Sequence, residues 1–354
     1  MRVVQQELAL EWDPAIKAGR HAAGGAGQLP DPGLLEAWAA RTRALAAAVD
    51  QRVSALGPLQ ALLVRCLQTT SRSGEETGDS EAREELFVRV ETAHGGLLES
   101  WGAPLPRAPT PEEVASIVGA RLEEAESALR GPAVALDPSL PLCLSPSAAA
   151  PLIAALGTLL RGDIAGSSGL ARNAGKRVLA PAVTVIDHPA HPLGSRQRRF
   201  DDEGVPCAEL TLVDGGRLAG FLHTQKSAAA LGVAPNGRGF GFEGPEAVPG
   251  PLNLALQAGP AELPADHAWL CCRIETFTPS PALGVVTLRL AGREQRSGRP
   301  GPVIAPFEAE LSVMETLRRV RGTGPRLDFF PAFDGVGTPW LLLEPGAFQG
   351  RIRR

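Results

Sequence analysis

Several features that would assign a function at once are missing from this 354-residue sequence. It has no run of about 18 apolar residues, and its first residues, MRVVQQELALEWD, carry acids where a signal peptide would have an apolar stretch. The formal net charge of -4 gives no reason to expect nucleic acid or an anionic membrane surface as a partner. We therefore predict a cytoplasmic protein that binds neither nucleic acid nor membrane.

Cysteine is also scarce. The five cysteines form no CxxC motif and are too few for a disulfide scaffold; they are Cys66, Cys143, Cys207, Cys271 and Cys272. We predict that they are reduced, buried thiols.

The usual hydrolase signatures are absent as well. None of the six histidines is followed by Glu, so neither HExxH nor HExxxH occurs, and no GxSxG marks a serine nucleophile. His188 and His191 are the one pair at a metal-like spacing, but Pro189 keeps them off a regular helix and no third ligand is near. An ordinary pair of loop histidines is favoured. The sequence predicts neither catalytic residues nor metal ligands in this chain.

Apolar periodicity predicts an α+β fold that begins with an N-terminal arm over residues 1–33. Residues 34–137 read as an α/β layer domain, because helix, strands and helix follow one another. Its strands are expected over residues 60–67 and 85–91, with a polar loop over 69–80 between them. Thr110 and Pro111 mark the start of the second helix, as N-cap and first helical residue.

Residues 138–354 are predicted to form a β-rich domain, either barrel-like or a sandwich. A helix is expected over residues 152–160, followed by a glycine-rich loop over 164–176. Short strands then recur between Pro and Gly residues. They are expected over residues 178–186, 208–213, 218–222, 269–277, 284–290, 303–311 and 339–343.

The stretch from Arg199 to Gly232 carries the clearest local signals. Two apolar runs flank Asp214-Gly215-Gly216, which predicts a tight hairpin turn because glycine accepts positive φ. An acidic loop, Asp201-Asp202-Glu203-Gly204, precedes the hairpin, and Asn236-Gly237-Arg238 follows it. In order and spacing these blocks resemble the TldD/PmbA family, also called modulators of DNA gyrase.

The resemblance implies a pair of related chains. One chain of such a pair, TldD, carries a zinc protease site, and the other, TldE (PmbA), shares its fold but lacks the metal ligands. Leu160-Arg161-Gly162-Asp163 matches the stretch that follows the HExxxH helix of catalytic members. Counting back from Asp163 places the two histidine positions on Ile153 and Thr158 and the glutamate on Ala154, so the zinc site is absent.

The resemblance therefore implies a TldE-like, non-catalytic subunit of a heterodimeric zinc metallopeptidase. No cofactor is expected in this chain, and zinc is expected in a TldD-like catalytic partner. A peptide is the implied substrate, with maturation of modified peptides as one implied role. Two other interpretations stay open: a divergent family member with its own non-peptidase biosynthetic activity, and a homodimeric peptide-binding scaffold.

The candidate substrate-contacting residues come from the matched blocks and their surroundings. The acidic loop is either a set of acid/base groups or a turn in which Asp side chains bond to the backbone ahead of Gly204. The Asn236–Arg238 loop either directs its arginine toward a substrate carbonyl or carboxylate or is solvated. The candidates are Asp201, Asp202, Glu203, His223, Asn236, Arg238 and Asn253.

Overall fold

The computed structural model describes residues 2–13, 18–24, 32–73, 76–93, 95–241, 246–272, 278–280, 284–331 and 335–353. Within these ranges the helices are α1 Pro32–Val53, α2 Pro111–Ala128, α3 Pro146–Leu159, α4 Gly162–Ser168, α5 Gln225–Leu231 and α6 Val313–Arg318. The strands are β1 Arg2–Asp13, β2 Ala18–Gly24, β3 Leu59–Ser73, β4 Glu76–Thr92, β5 Gly95–Pro104, β6 Ala133–Val134, β7 Leu142–Leu144, β8 Val185–Asp187, β9 Leu210–Asp214, β10 Arg217–Leu218, β11 Gly239–Phe240, β12 Val248–Pro249, β13 Leu254–Leu256, β14 His267–Cys272, β15 Thr278–Ser280, β16 Val285–Arg296, β17 Arg299–Ser312, β18 Val320–Thr323, β19 Asp328–Phe330, β20 Val336–Thr338, β21 Leu341–Leu343 and β22 Ile352–Arg353.

The first sheet is antiparallel, with strand order β2-β1-β3-β4-β5. Helices α1 and α2 pack together and against it, and Leu45, Val49 and Val118 are fully buried at this contact. The prediction of an arm over residues 1–33 is wrong in its described part, because β1 and β2 are strands of this sheet. The predicted loop over residues 69–80 is also wrong, because β3 and β4 extend through its described part.

Helix α2 begins as predicted. Thr110 accepts a hydrogen bond from the Glu113 backbone N–H at 3.3 Å, and the Glu113 carboxylate accepts one from the Thr110 N–H at 2.9 Å. This capping box satisfies two donors that the first helical turn leaves free.

The C-terminal part contains a six-stranded sheet, order β10-β9-β8-β13-β20-β19, and a nine-stranded sheet built on β18-β21-β7-β14-β16-β17-β22. Helix α3 contacts both, through β13 and β20 on one side and β14 and β16 on the other. Its central residues, including Leu152, Ile153 and Leu156, are fully buried in the larger hydrophobic core. The predicted α+β class is confirmed. Among the described residues none of the sheets closes into a barrel.

The predicted hairpin turn is confirmed. Gly215 and Gly216 have φ of 51° and 78° and join β9 to β10. The hairpin is shorter than predicted, since pairing ends at Leu218. Of the predicted strand over residues 178–186, only the end forms a strand, β8. The region predicted as a glycine-rich loop, residues 164–176, contains part of α4 and a 3-10 turn. Residues 273–277 of another predicted strand lie outside the described residues.

Two further predictions from composition can be compared with the structure. The four cysteines whose side chains are described are free; three are buried and Cys207 is half-buried. Burial raises the pKa of Cys66 above its usual range and that of Cys207 to about 12, so these thiols stay protonated at neutral pH. In the described ranges no helix is both long and apolar enough to cross a membrane. The domain boundary near residue 137 stays a prediction.

Candidate functional site

A buried ion pair lies at the centre of the predicted site residues. Arg238 is fully buried, and its Nε donates to Asp187, whose carboxylate is also fully buried. The other four N–H groups of its guanidinium donate to backbone carbonyls of Asp187, Ala208, Asn236 and Gly237 at 2.7–3.2 Å. A guanidinium has five donors. All five of those of Arg238 are therefore used within the protein.

The acidic loop is tied to the same region through its first two carboxylates. Asp201 is fully buried and accepts hydrogen bonds from the N–H groups of Glu203, Val205 and Gly239 at 2.8–3.0 Å. Burial raises its pKa although these three bonds act in the opposite direction. Asp202 accepts from Arg198 Nη2 at 2.8 Å and from the Gly241 N–H at 2.9 Å. The turn interpretation of this loop agrees with these contacts.

Glu203 and His223 link the loop to helix α5. The Glu203 carboxylate accepts from the N–H of Gln225, the first residue of α5, at 2.8 Å. Burial raises the pKa of Glu203 and lowers that of His223. The His223 ring lies 3.3 Å, Nδ1 to Oγ, from Ser227, and its backbone N–H donates to Asn236 Oδ1 at 2.9 Å.

Asn236 and Asn253 each join two chain segments. Asn236 Nδ2 donates to the Phe221 carbonyl at 2.8 Å, so the amide closes the loop between the hairpin and β11. Asn253 is fully buried, and its Nδ2 donates to the carbonyls of His188 and Arg196 at 2.7 and 2.9 Å. We call the seven predicted residues, together with Asp187, the loop network.

The nearby histidine pair is held by local backbone contacts. His188 Nδ1 accepts from the Ala190 N–H at 3.0 Å, and His191 Nδ1 accepts from the Leu193 N–H at 3.1 Å. The two rings meet edge to face with centroids 5.8 Å apart. In each histidine, Nδ1 is therefore occupied by a hydrogen bond from the backbone two residues later.

Open space lies beside the loop network. A cavity of about 460 Å³, which we call the α3 cavity, lies between one face of α3, the first sheet and the segment 248–251. Ala154, Gly157 and Thr158 line it from one face of α3, and Arg161 lines it just beyond the end of that helix. None of the seven predicted residues belongs to its lining.

Charged side chains of the first sheet form another wall of the α3 cavity. Arg83 donates to Glu85 Oε1 at 2.8 Å, and Arg65 donates to Glu85 Oε2 at 2.8 Å. Burial acts to raise the pKa of Glu85, but the two guanidiniums outweigh it and the pKa lies below its usual value. Glu85 is therefore a carboxylate at neutral pH, and this wall carries fixed charges of both signs.

The loop network holds the segment 248–251 in place. The Gly250 N–H donates to the Arg238 carbonyl at 2.9 Å, next to the pairing of β11 with β12. The Leu252 N–H donates to the Asp187 carboxylate at 2.9 Å. Arg196, which also lines the cavity, donates to the Pro251 carbonyl at 3.2 Å, and its backbone N–H donates to Asn253. Of the predicted residues, Arg238 and Asn253 thus take part in the contacts that position this wall, together with Asp187 and Arg196.

Comparison with known proteins identifies the family. A family model described as the PmbA/TldA metallopeptidase C-terminal domain matches residues 138–350, more than half of the chain. The chain belongs to the PmbA/TldD family.

Two curated relatives in this family carry the name metalloprotease. The one from Methanothermobacter thermautotrophicus is 32% identical over 209 residues, which cover 56% of this chain and 45% of the relative. The one from Archaeoglobus fulgidus is 38% identical over 82 residues, 23% of this chain and 19% of the relative. The chain spans less than half the length of these curated relatives.

Two solved structures are similar over nearly the whole chain. TldE from Thermococcus kodakarensis superposes with a TM-score of 0.77 at 14% identity, covering 99% of this chain and 96% of TldE. A putative modulator of DNA gyrase from Thermotoga maritima gives 0.74 at 16% identity, covering 97% and 93% of the two chains. At these identities the similarity establishes the fold.

The name of the PmbA/TldD domain implies a metal, so we compared the residues present with a zinc site. Of the three positions implied by the family resemblance, Ala154 and Thr158 line the α3 cavity, whereas Ile153 is fully buried in the core. None of them carries an imidazole, thiolate or carboxylate. Across the described ranges, no group of three or more His, Cys, Asp or Glu residues is placed to hold a metal ion. The residues of this family member do not fit a zinc site.

Sequence reasoning named Ala154, Thr158 and Arg161 only as positions of the matched motif, and it missed the other residues that line the α3 cavity in this family member. Arg83 and Glu85 are two residues apart on β4, and two-residue spacing puts side chains on the same face of a strand. That spacing could have predicted that Arg83 and Glu85 form a charged face of the sheet. Arg196 carries no such signal, because only the fold brings it to Pro251.

Proposed function

We propose that this chain is a non-catalytic, TldE-like subunit that pairs with a TldD-like chain bearing HExxxH. The main support for the proposal is the face of α3 that lines the α3 cavity. The helix that would present metal ligands still faces a cavity of about 460 Å³, where Thr158 stands at the position of one histidine and Ala154 at that of the glutamate base. The partner would supply both histidines, the glutamate base and zinc.

The substrate we propose is an extended peptide, as in the maturation of modified peptides. The α3 cavity supports this class because its walls combine backbone from segment 248–251 with charged groups of both signs. Fixed charges of both signs suit a chain with polar main-chain groups, and extended peptides bind by strand addition in many complexes.

The loop network offers less support for an independent acid/base enzyme. Asp201, Asp202 and Glu203 accept hydrogen bonds from the protein's own N–H groups, and His223 contacts Ser227. An acid/base group has to reach its substrate within hydrogen-bonding distance. These groups would first have to leave their present contacts.

Co-expression tests the proposal. The chain and the HExxxH-bearing relative from the same genome are produced together, and each size-exclusion peak is analysed for both chains and for zinc. We expect one mixed complex with about one zinc per pair and no zinc bound by this chain alone.

Separate elution of the two chains, or zinc retained by this chain alone, would refute the proposal. A stable homodimer that does not bind the HExxxH-bearing relative would favour the scaffold interpretation. As a matched control, the relative with both motif histidines replaced by alanine should still form the complex but lose its zinc.

A further inference from the structure

A second cavity, of about 310 Å³, lies between the first sheet with its helices and the C-terminal sheets. We call it the tryptophan cavity, because Trp269 and Trp340 line it. Glu99 from β5, Arg121 and Glu124 from α2, and the start of α3 also contribute to its walls. Its size is at the lower end of those that take small organic ligands.

The guanidinium of Arg121 is already neutralised by the protein. Its Nη2 donates to Asp328 at 2.8 Å, its Nη1 donates to the Ser100 carbonyl at 3.4 Å, and it lies over the Phe330 ring at 5.3 Å from the centroid. The other lining cation, Arg326, is 84% exposed and approaches the same Asp328 oxygen at 3.8 Å. Both cations therefore lie against Asp328, although Arg121 Nε has no hydrogen-bond partner among the described residues.

The polar groups at the start of α3 are engaged as well. The Ser145 hydroxyl accepts from the Ala148 N–H at 3.3 Å and lies 3.1 Å from the Ser147 hydroxyl. The Cys271 thiol is buried, which raises its pKa to about 12, so it adds no charge at neutral pH. This end of the cavity offers little to an anion.

The acidic groups are less well compensated. Glu99 is buried, accepts from the Ser100 N–H at 2.9 Å, and lies 3.6 Å from Arg121 Nη1, a guanidinium that it shares with Asp328. Burial, opposed by Arg121, raises the pKa of Glu99. Partial burial of the Glu124 side chain together with Asp328, opposed by Arg326 and Arg121, raises the pKa of Glu124. Three carboxylates therefore lie near two guanidiniums, those of Arg121 and the exposed Arg326, and the excess of negative charge would favour a further cation.

The aromatic lining suits the same class of ligand. Indole faces attract ammonium and guanidinium groups more strongly than other rings do, and an apolar stem would gain contact with Leu97 and Leu122. We propose that the tryptophan cavity binds a small organic cation, an ammonium or guanidinium group on a short apolar stem, with Glu99 and Glu124 as its counter-charges. This site is separate from the α3 cavity.

Three probes of similar shape and different charge test the site on the purified full chain by calorimetric titration. They are n-butylammonium, n-butanol and butyrate. We expect n-butylammonium to bind at least about tenfold more tightly than the other two, as a charge-assisted hydrogen bond requires. Among the indole N–H signals of the five tryptophans, those assigned to Trp269 and Trp340 by Trp→Phe variants should shift.

Variants assign the binding to the proposed carboxylates. Glu124→Gln should weaken n-butylammonium binding by about fivefold and Glu99→Gln by more, while Glu112→Gln, an exposed change on the same helix, should leave it unchanged. Glu124 is exposed, so its variant keeps the test valid if Glu99→Gln does not fold. Equal binding of butanol, preference for butyrate, or unaltered affinity in Glu124→Gln would overturn the proposal.

Discussion

The loop network and the α3 cavity are neighbours with opposite characters. The network is rich in the residue types that do chemistry, yet its carboxylates, amides and guanidinium contact the protein itself. On its helix side the cavity is lined mainly by alanine, glycine and threonine, yet it has space for a ligand. The comparison separates two properties that a sequence motif combines: reactive side chains and room for a substrate.

This difference shows that a charged motif can stabilise the fold without contacting a substrate. A buried guanidinium is tolerated only with a full set of acceptors, because an unpaired buried charge is strongly unfavourable. The acceptors of Arg238 come from three segments, near residues 187, 208 and 237. Its burial therefore fixes the relative positions of those segments.

The largest effect is expected from breaking the ion pair. Arg238→Met leaves the Asp187 carboxylate buried without its cation, and we expect the free energy of unfolding to fall by about 3–5 kcal/mol. Urea unfolding followed by circular dichroism measures the loss. Arg161→Met, which removes a half-exposed pair with Asp163 beside the α3 cavity, should lose at most about 1 kcal/mol. Similar losses in the two variants would remove the contrast between the two regions.

A smaller loss is expected at Asn253. Asn253→Ala removes three hydrogen bonds and leaves the partly buried carbonyls of His188 and Arg196 without this donor. We expect a decrease of about 1–3 kcal/mol in the same measurement. Asn173→Ala is the matched control at a half-buried position, with an expected change within about 0.5 kcal/mol. An equal decrease in the free energy of unfolding for Asn173→Ala would mean that the hydrogen bonds of Asn253 do not specifically stabilise these loops.

The pH dependence of stability tests the burial of His223. Burial lowers its pKa in the native state, whereas the unfolded chain titrates near 6.5. The unfolded state therefore binds more protons below that pH, so stability present above pH 6.5 is lost as the pH falls. The loss has an upper limit of about 1.4 kcal/mol per pH unit for one group.

His223→Gln should flatten the pH dependence between pH 6.5 and 5.5, whatever it does to absolute stability. Thermal unfolding at a series of pH values provides the slope. An unchanged slope would mean that other histidines whose pKa burial lowers, such as His191 and His267, account for the effect.

The smallest effect on stability is expected inside the α3 cavity. Thr158→Phe fills space beside a half-buried position, so we expect the free energy of unfolding to change by less than about 1 kcal/mol. Under the proposed function, peptide cleavage by the co-expressed pair should nevertheless fall sharply. Ser168→Phe, on the exposed side of α4, should leave cleavage intact. Normal cleavage by the Thr158 variant would show that peptide does not enter this cavity.

Features encoded within a few residues could be predicted from the sequence. Thr110 and Glu113 form the capping box that starts α2, and the Gly215-Gly216 turn joins β9 to β10. Each depends on contacts between near neighbours in the chain. The resemblance to the PmbA/TldD family was confirmed for the same reason, because its motifs are local.

Features that depend on distant partners could not be predicted in this way. Residues 69–80 look like a loop because they are polar, yet strand pairing gives their backbone its hydrogen bonds. The first residues of the chain hold a missed signal: Leu8, Leu10 and Trp12 alternate with more polar positions, as strand residues do. The cavity itself has no sequence pattern, since Arg83, Thr158 and Pro251 come from three separate segments.

The position of segment 248–251 has a consequence for how this family diverges. The hydrogen bonds that anchor the segment and the adjoining Leu252 run to Asp187, Arg238 and Arg196, and these three residues lie outside α3. Substitutions at Ala154 or Thr158 therefore leave these anchoring contacts unchanged. Side chains at these two helix positions can therefore change while the contacts that enclose the cavity are kept.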